Sequence, residues 1–329
     1  MKWITAFLLA LTVPAFADEG PIYGPQLEGY TYPFAVQHYR FTSQGVAMDM
    51  AYMDVAPIKP NGKTIVLLHG KNFCAATWEG SIRTLTQAGY RIIAPDQIGW
   101  CKSTKPEHYQ FTFEQLAANT NALLKSLGIA RAIIMGHSTG GMLAVRYGLL
   151  YPADTEQLVL VDPLGLEDWR AKGVPWQSVD AQYRVQLNTT AATIRDYERA
   201  TYYANTWKPE CEPWVQMLAG MYRGPGHDIV AWNSALTYDM IYTQPVFYEF
   251  EKLSMPVLLM IGDHDTTAPG KQLASSELRA TLGNYPVLAK AAVARMPHGK
   301  LIEFPDLGHS PQIQDPAAFH QALLAAIKP

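Results

Sequence analysis

Short apolar runs of strand length recur along this chain, separated by stretches with helical spacing, and no other feature limits its fold as much. The runs are Thr64–Leu68 (TIVLL), Tyr90–Ala94, Ala132–Met135, Leu158–Val161 (LVLV), Val257–Ile261 and Leu301–Phe304. Helices are expected at about 75–88, 113–127, 140–150, 272–282 and 317–327. In the second of these, Leu116, Ala117, Thr120, Leu123, Leu124 and Leu127 share one face. Strands that are apolar throughout are buried on both sides, so the alternation argues for an α/β fold with a parallel sheet covered by helices. Ahead of it, Val36–Ser43 and Val46–Val55 flank Gln44-Gly45 as a hairpin, after a lead-in rich in Pro, Gly and Tyr.

The alternation breaks at Pro163. Residues 163–250 hold five tryptophans and eight tyrosines with few strand signals, which reads as a mostly helical insertion. The expected organisation is a core of residues 18–162 and 251–329 around an insertion at 163–250. Residues 1–17 read as an export signal: Lys2, an apolar run from Trp3 to Val13, an A-x-A site at Ala15-Phe16-Ala17, then Asp18-Glu19. The run is shorter than the roughly 20 residues that span a bilayer. The mature chain is therefore expected in the periplasm or outside the cell, without a membrane span. Lys and Arg number 26 and Asp and Glu 29, a net charge of −3, so there is no basic excess for a nucleic-acid partner. No C-x-x-C or H-E-x-x-H occurs, and neither a metal nor a cofactor is expected.

Gly136-His137-Ser138-Thr139-Gly140 is a G-x-S-x-G set between a strand and a helix. A serine there sits on a tight turn at a helix N-terminus, where free N–H groups meet developing negative charge. Its hydroxyl needs a base. His309, just past the last strand, is the candidate. His69 is read as structural, and His137 as pointing away from the site. The base needs an acid to fix its tautomer. Asp265 is preferred, with Asp263 as rival and Asp162 third. For the oxyanion, one donor is expected at the Thr139 N–H and the other at the Lys71 N–H, with Asn72 or Phe73 as substitutes. The Lys71 side chain is expected in solvent. Phe73 and Trp100 are the pocket candidates.

With these segments in order, the chain resembles the α/β-hydrolase superfamily, in its branch with a helical cap. The resemblance rests on His69-Gly70-x-x-Phe73 with Trp78, Pro95-Asp96-x-x-Gly99-x-x-x-Ser103, the Gly136–Gly140 turn, Gly262-x-x-Asp265-x-x-x-Pro269 and Gly308-His309, and covers about 36–328. It implies a mostly parallel eight-stranded sheet with a helical cap, and a triad of Ser138, Asp265 and His309. Dehalogenases and epoxide hydrolases of this branch carry aspartate at the turn, so Ser138 points to an acyl enzyme. The glycine-rich loop of the carbon–carbon bond hydrolases is replaced here by Lys71-Asn72-Phe73. Cleavage of a small or medium, apolar carboxylic ester is the expected activity. Lactonase, amidase or cofactor-free perhydrolase chemistry is the alternative, and a non-catalytic small-ligand receptor the alternative of another class. Cys74 and Cys101 fall on loops expected to be neighbours, where they can pair as a disulfide.

Overall fold

A computed structural model of the chain describes residues 19–327. The proposed export signal at 1–17 lies outside them. The eight strands are β1 (Val36–Ser43), β2 (Val46–Val55), β3 (Thr64–Leu68), β4 (Arg91–Pro95), β5 (Ala132–His137), β6 (Thr155–Val161), β7 (Val257–Gly262) and β8 (Gly299–Phe304). They form one sheet in the order β1-β2-β4-β3-β5-β6-β7-β8, antiparallel at β1/β2 and β2/β4 and parallel elsewhere. Every residue of β5 and β7 is buried, as continuous apolar runs require. Each large aliphatic side chain so placed contributes about 1.5–3 kcal/mol.

The helices are α1 (Glu79–Gln87), α2 (Phe113–Ser126), α3 (Thr139–Leu150), α4 (Val179–Gln186), α5 (Ala191–Thr201), α6 (Glu212–Arg223), α7 (His227–Thr243), α8 (Ser276–Arg279), α9 (Tyr285–Val293), α10 (Pro311–Gln314) and α11 (Pro316–Ala326). Thr112 caps α2 by accepting from the Gln115 N–H, and Asp315 caps α11 by accepting from the Ala318 N–H. The expected helix at 272–282 is a correction: only α8 forms there, ended before Gly283 with its left-handed φ of 71°. The longer helix between β7 and β8 is α9. Pro286 hides it in the sequence, yet proline is tolerated in a first turn, where its missing N–H has no acceptor anyway.

Between β6 and β7 the described residues form helices and no strand, with α4, α5, α6 and α7 in succession. These helices lie against the loops at the sheet's carboxyl edge. The Trp232 indole donates to Glu107 O, Asn233 to Pro106 O and Lys71 to Ser234 Oγ. No helix among the described residues is long and apolar enough to cross a membrane.

Candidate active site

The chain order reverses around β3, which pairs β4 on one side and β5 on the other. Loops leaving such adjacent strands in opposite directions open a crevice at the carboxyl edge. Ser138 follows β5 and the 69–73 loop follows β3, so the two meet there. Ser138 has φ 57° and ψ −120°, a strained conformation held by the Ser138 N–H to Val161 O bond of 3.1 Å and by Leu164 N–H to Ser138 O. The glycine that closes the turn has no alternative: a Cβ on Gly140 would lie 2.2 Å from Leu68 O. A Cβ on Gly70 would lie 3.0 Å from Ser138 Cβ, which fixes how closely the β3 loop passes the serine.

Thr139 is the first residue of α3, where a backbone N–H has no intrahelical acceptor. Neither its N–H nor that of Lys71 has a backbone acceptor among the described residues outside regular structure. Both expected oxyanion donors are therefore left without a backbone partner in the turns and loops around the serine. The Trp100 indole donates to Lys71 O at 2.8 Å, so Trp100 braces the loop as well as lining a cavity with Phe73.

His309 Nδ1 lies 2.6 Å from Asp265 Oδ2, with both side chains fully buried. The other Asp265 oxygen accepts the Thr267 N–H at 2.8 Å. His309 Nε2 is buried and takes no hydrogen bond among the described residues. It is the nitrogen left to serve a hydroxyl once Nδ1 is bound to Asp265. Of the rival acids, Asp263 makes no contact with His309. Asp162 sits behind Asp265, one oxygen of each lying within 4.8 Å of the other and of a His309 nitrogen. Burial first, and the Asp265 carboxylate second, raise the Asp162 carboxyl well above its usual range. It accepts the Gly262 N–H at 2.9 Å.

Two placements, those of His137 and of the Lys71 side chain, differ from the sequence reading. His137 does not turn away from the site. Its ring lies 4.9 Å from that of His309 and 5.6 Å from Phe73, and Nε2 donates to His309 O at 2.7 Å. Burial lowers it well below its ordinary value, so the ring is a neutral strut. No local pattern shows this, because the partners are 172 residues apart. His69 is structural as expected: Nε2 accepts the Gln97 N–H and Nδ1 donates to Gly70 O. The Lys71 side chain is half-buried rather than free in solvent. Roofed by α7, it donates to Ser234 Oγ at 2.6 Å, and burial lowers its ammonium to about 8.

Helix α5 ends over the site. The Tyr202 ring lies 4.8 Å from the His309 ring, Tyr202 OH accepts from Asn72 Nδ2 at 3.1 Å, and Tyr202 O accepts the Ser310 N–H. Ser138 is 3% exposed and His309 0%. Beside them a cleft of about 240 Å³ is lined by Lys71, Asn72, Tyr197, Tyr238, Ala268 and Pro269 among others. Cys74 and Cys101 are joined in a disulfide, Cα atoms 5.9 Å apart, tying the segment after the Lys71 loop to the loop after β4. Cys211 is free and buried.

Residues 63–316 match the family described as alpha/beta hydrolase fold. A probable hydrolytic enzyme from Pseudomonas aeruginosa, known as a crystal structure, is 62% identical with a TM-score of 0.94, covering 94% of this chain and 99% of that one. A bifunctional esterase/perhydrolase from Acinetobacter calcoaceticus is 24% identical over 88% of this chain and 99% of its own. An esterase from Exiguobacterium antarcticum superposes with a TM-score of 0.68 at 18% identity, covering 86% of this chain and 96% of that one.

Proposed function

The chain belongs to the alpha/beta hydrolase fold family and is a hydrolase, and we propose that it is an exported serine hydrolase that cleaves carboxylic esters through an acyl enzyme. The observation that carries this is the buried 2.6 Å contact of His309 with Asp265, on the loops beside a serine strained at φ 57°. Ser138 Oγ attacks the ester carbonyl while His309 Nε2 takes its proton, and Asp265 stabilises the imidazolium. The Thr139 and Lys71 N–H groups receive the oxyanion. His309 then protonates the leaving alcohol, and water, deprotonated by the same imidazole, releases the acid and restores Ser138.

Residues 163–250 act as a cap in this reading. The Tyr202 and Asn72 contacts favour it, since they put helix ends directly on the base. Export rests on the Lys2 to Ala17 pattern, and the Cys74–Cys101 disulfide suits an oxidising compartment. N-terminal sequencing of the secreted protein should start at Asp18.

Perhydrolysis is the second reading, favoured by the relative named for both activities. Halide oxidation that needs both acetate and peroxide would reveal it. A receptor role has no supporting observation among these esterases and hydrolases. The deciding test is a panel of p-nitrophenyl esters, lactones and an amide, with fluorophosphonate labelling. Wild type should be labelled at Ser138 and turn over an ester, and Ser138→Ala should do neither. An unlabelled wild type sinks the reading.

A further inference from the structure

Two lysines sit under the helices with no carboxylate among the residues that line their cavity. Lys71 and Lys105 line the same small cavity of about 30 Å³ with Trp100, Cys101 and Ser234. Lys71 Nζ donates to Ser234 Oγ at 2.6 Å and Lys105 Nζ to Cys101 O at 2.7 Å, so both ammonium groups bond to lining residues. Burial lowers them to about 8 and about 7. No carboxylate offsets Lys71. Lys105 feels Asp96 and Glu28, but the Asp96 oxygens are already taken by the Tyr32 hydroxyl and the Ala75 and Lys102 N–H groups. No Asp or Glu lines this cavity or the 240 Å³ cleft, which shares Lys71, Asn72, Leu218 and Tyr222 with it. Both side chains are only partly exposed and no carboxylate lines their cavity, so an incoming anion would meet two ammonium groups there.

We propose that Lys71 and Lys105 form a carboxylate subsite, so that the preferred substrates are esters or lactones bearing a free carboxylate. The inference rests on the serine-hydrolase reading above and replaces the apolar substrate expected from the aromatic content. The geometry supports it at two points. The subsite and the proposed oxyanion donor belong to one residue, Lys71, so a bound acid group lies one loop away from the reacting carbonyl. The Trp100 bond to Lys71 O and the disulfide at Cys101 hold both lysine-bearing loops in place. A carboxylate has two oxygens, one for each ammonium.

The test compares kcat/KM for matched pairs: mono-p-nitrophenyl glutarate against its methyl ester, with the acid on the acyl side, and 4-acetoxybenzoate against its methyl ester, with the acid on the alcohol side. Wild type should favour the acid in at least one pair by tenfold or more. In Lys105→Met that ratio should fall by about tenfold, the range a charge-assisted hydrogen bond supplies. The pair that shows the preference identifies the side of the ester that carries the acid. Should Lys105→Met not fold, wild type alone still decides: glutarate must inhibit hydrolysis of p-nitrophenyl acetate competitively and dimethyl glutarate must not. Ratios near one in both pairs, or inhibition by inorganic phosphate and not by glutarate, overturn the subsite. Absence of turnover of every ester, wild type and Ser138→Ala alike, would instead defeat the serine-hydrolase reading.

Discussion

Glu198, near the end of α5, provides a stability test whose sign and size follow from its surroundings. Its side chain is fully buried and neither carboxylate oxygen has a hydrogen-bond partner among the described residues. Burial first and the nearby Glu212 second raise it from 4.5 to about 8. In the unfolded chain the acid ionises from about pH 4.5 upward, whereas in the fold it keeps its proton until about pH 8. Between these values the unfolded chain binds fewer protons, so the stability this group contributes is complete below about 4.5 and falls as pH rises toward 8. At about 1.4 kcal/mol per unit, the whole window amounts to roughly 4–5 kcal/mol. Glu198→Gln keeps the shape and removes the ionisation, but its amide carries one more donor hydrogen than the protonated acid, at a cost of about 1–3 kcal/mol if that N–H is left unsatisfied. Urea unfolding at pH 5, 7 and 9 should therefore cross over, with the variant weaker than wild type at pH 5 and stronger at pH 9. Other titrating groups cancel in the difference. A difference between the two proteins that stays flat from pH 5 to 9 would refute the argument.

Ser138→Ala should lower ester kcat by roughly a thousandfold or more while leaving the melting temperature within a few degrees, checked by steady-state kinetics and calorimetry. His137→Phe keeps a ring on Phe73 but deletes the N–H held by His309 O; kcat should drop roughly tenfold to a hundredfold with little change in KM. Replacing Cys74 and Cys101 by serine together opens a bridge spanning 27 residues and should cost about 3–4 kcal/mol in chemical unfolding. Asp162→Asn should retain activity within about threefold at pH 7, because burial and the Asp265 carboxylate push the Asp162 carboxyl toward its neutral form; a collapse comparable to Asp265→Asn would show that Asp162 acts as an anion.

The sheet was legible because its strands are buried on both faces and therefore read as unbroken apolar runs. Ser138, Asp265 and His309 could be proposed from sequence because each follows a strand in a short local pattern, and the Asp265–His309 bond is the part of that proposal the fold brings together. What escaped depends on contacts between distant segments. Pro286 disguised α9, since a proline in a first turn and a proline that breaks a helix look alike in sequence. The inward turn of Lys71 is set by α7, more than 150 residues away. His137 was assigned no role because its bond to the His309 carbonyl has no local signature, and Trp100 was read for its ring alone, not for the N–H that fixes Lys71 O.

The Tyr202 ring over His309 has a kinetic consequence. With Ser138 3% exposed and His309 fully buried, entry of a substrate would require the end of α5 to swing aside. The same opening would admit the water that releases the acid. Turnover is then paced by the rate of that opening, so added glycerol should slow kcat in proportion to solvent viscosity, and trimming Tyr202 to alanine should abolish that dependence.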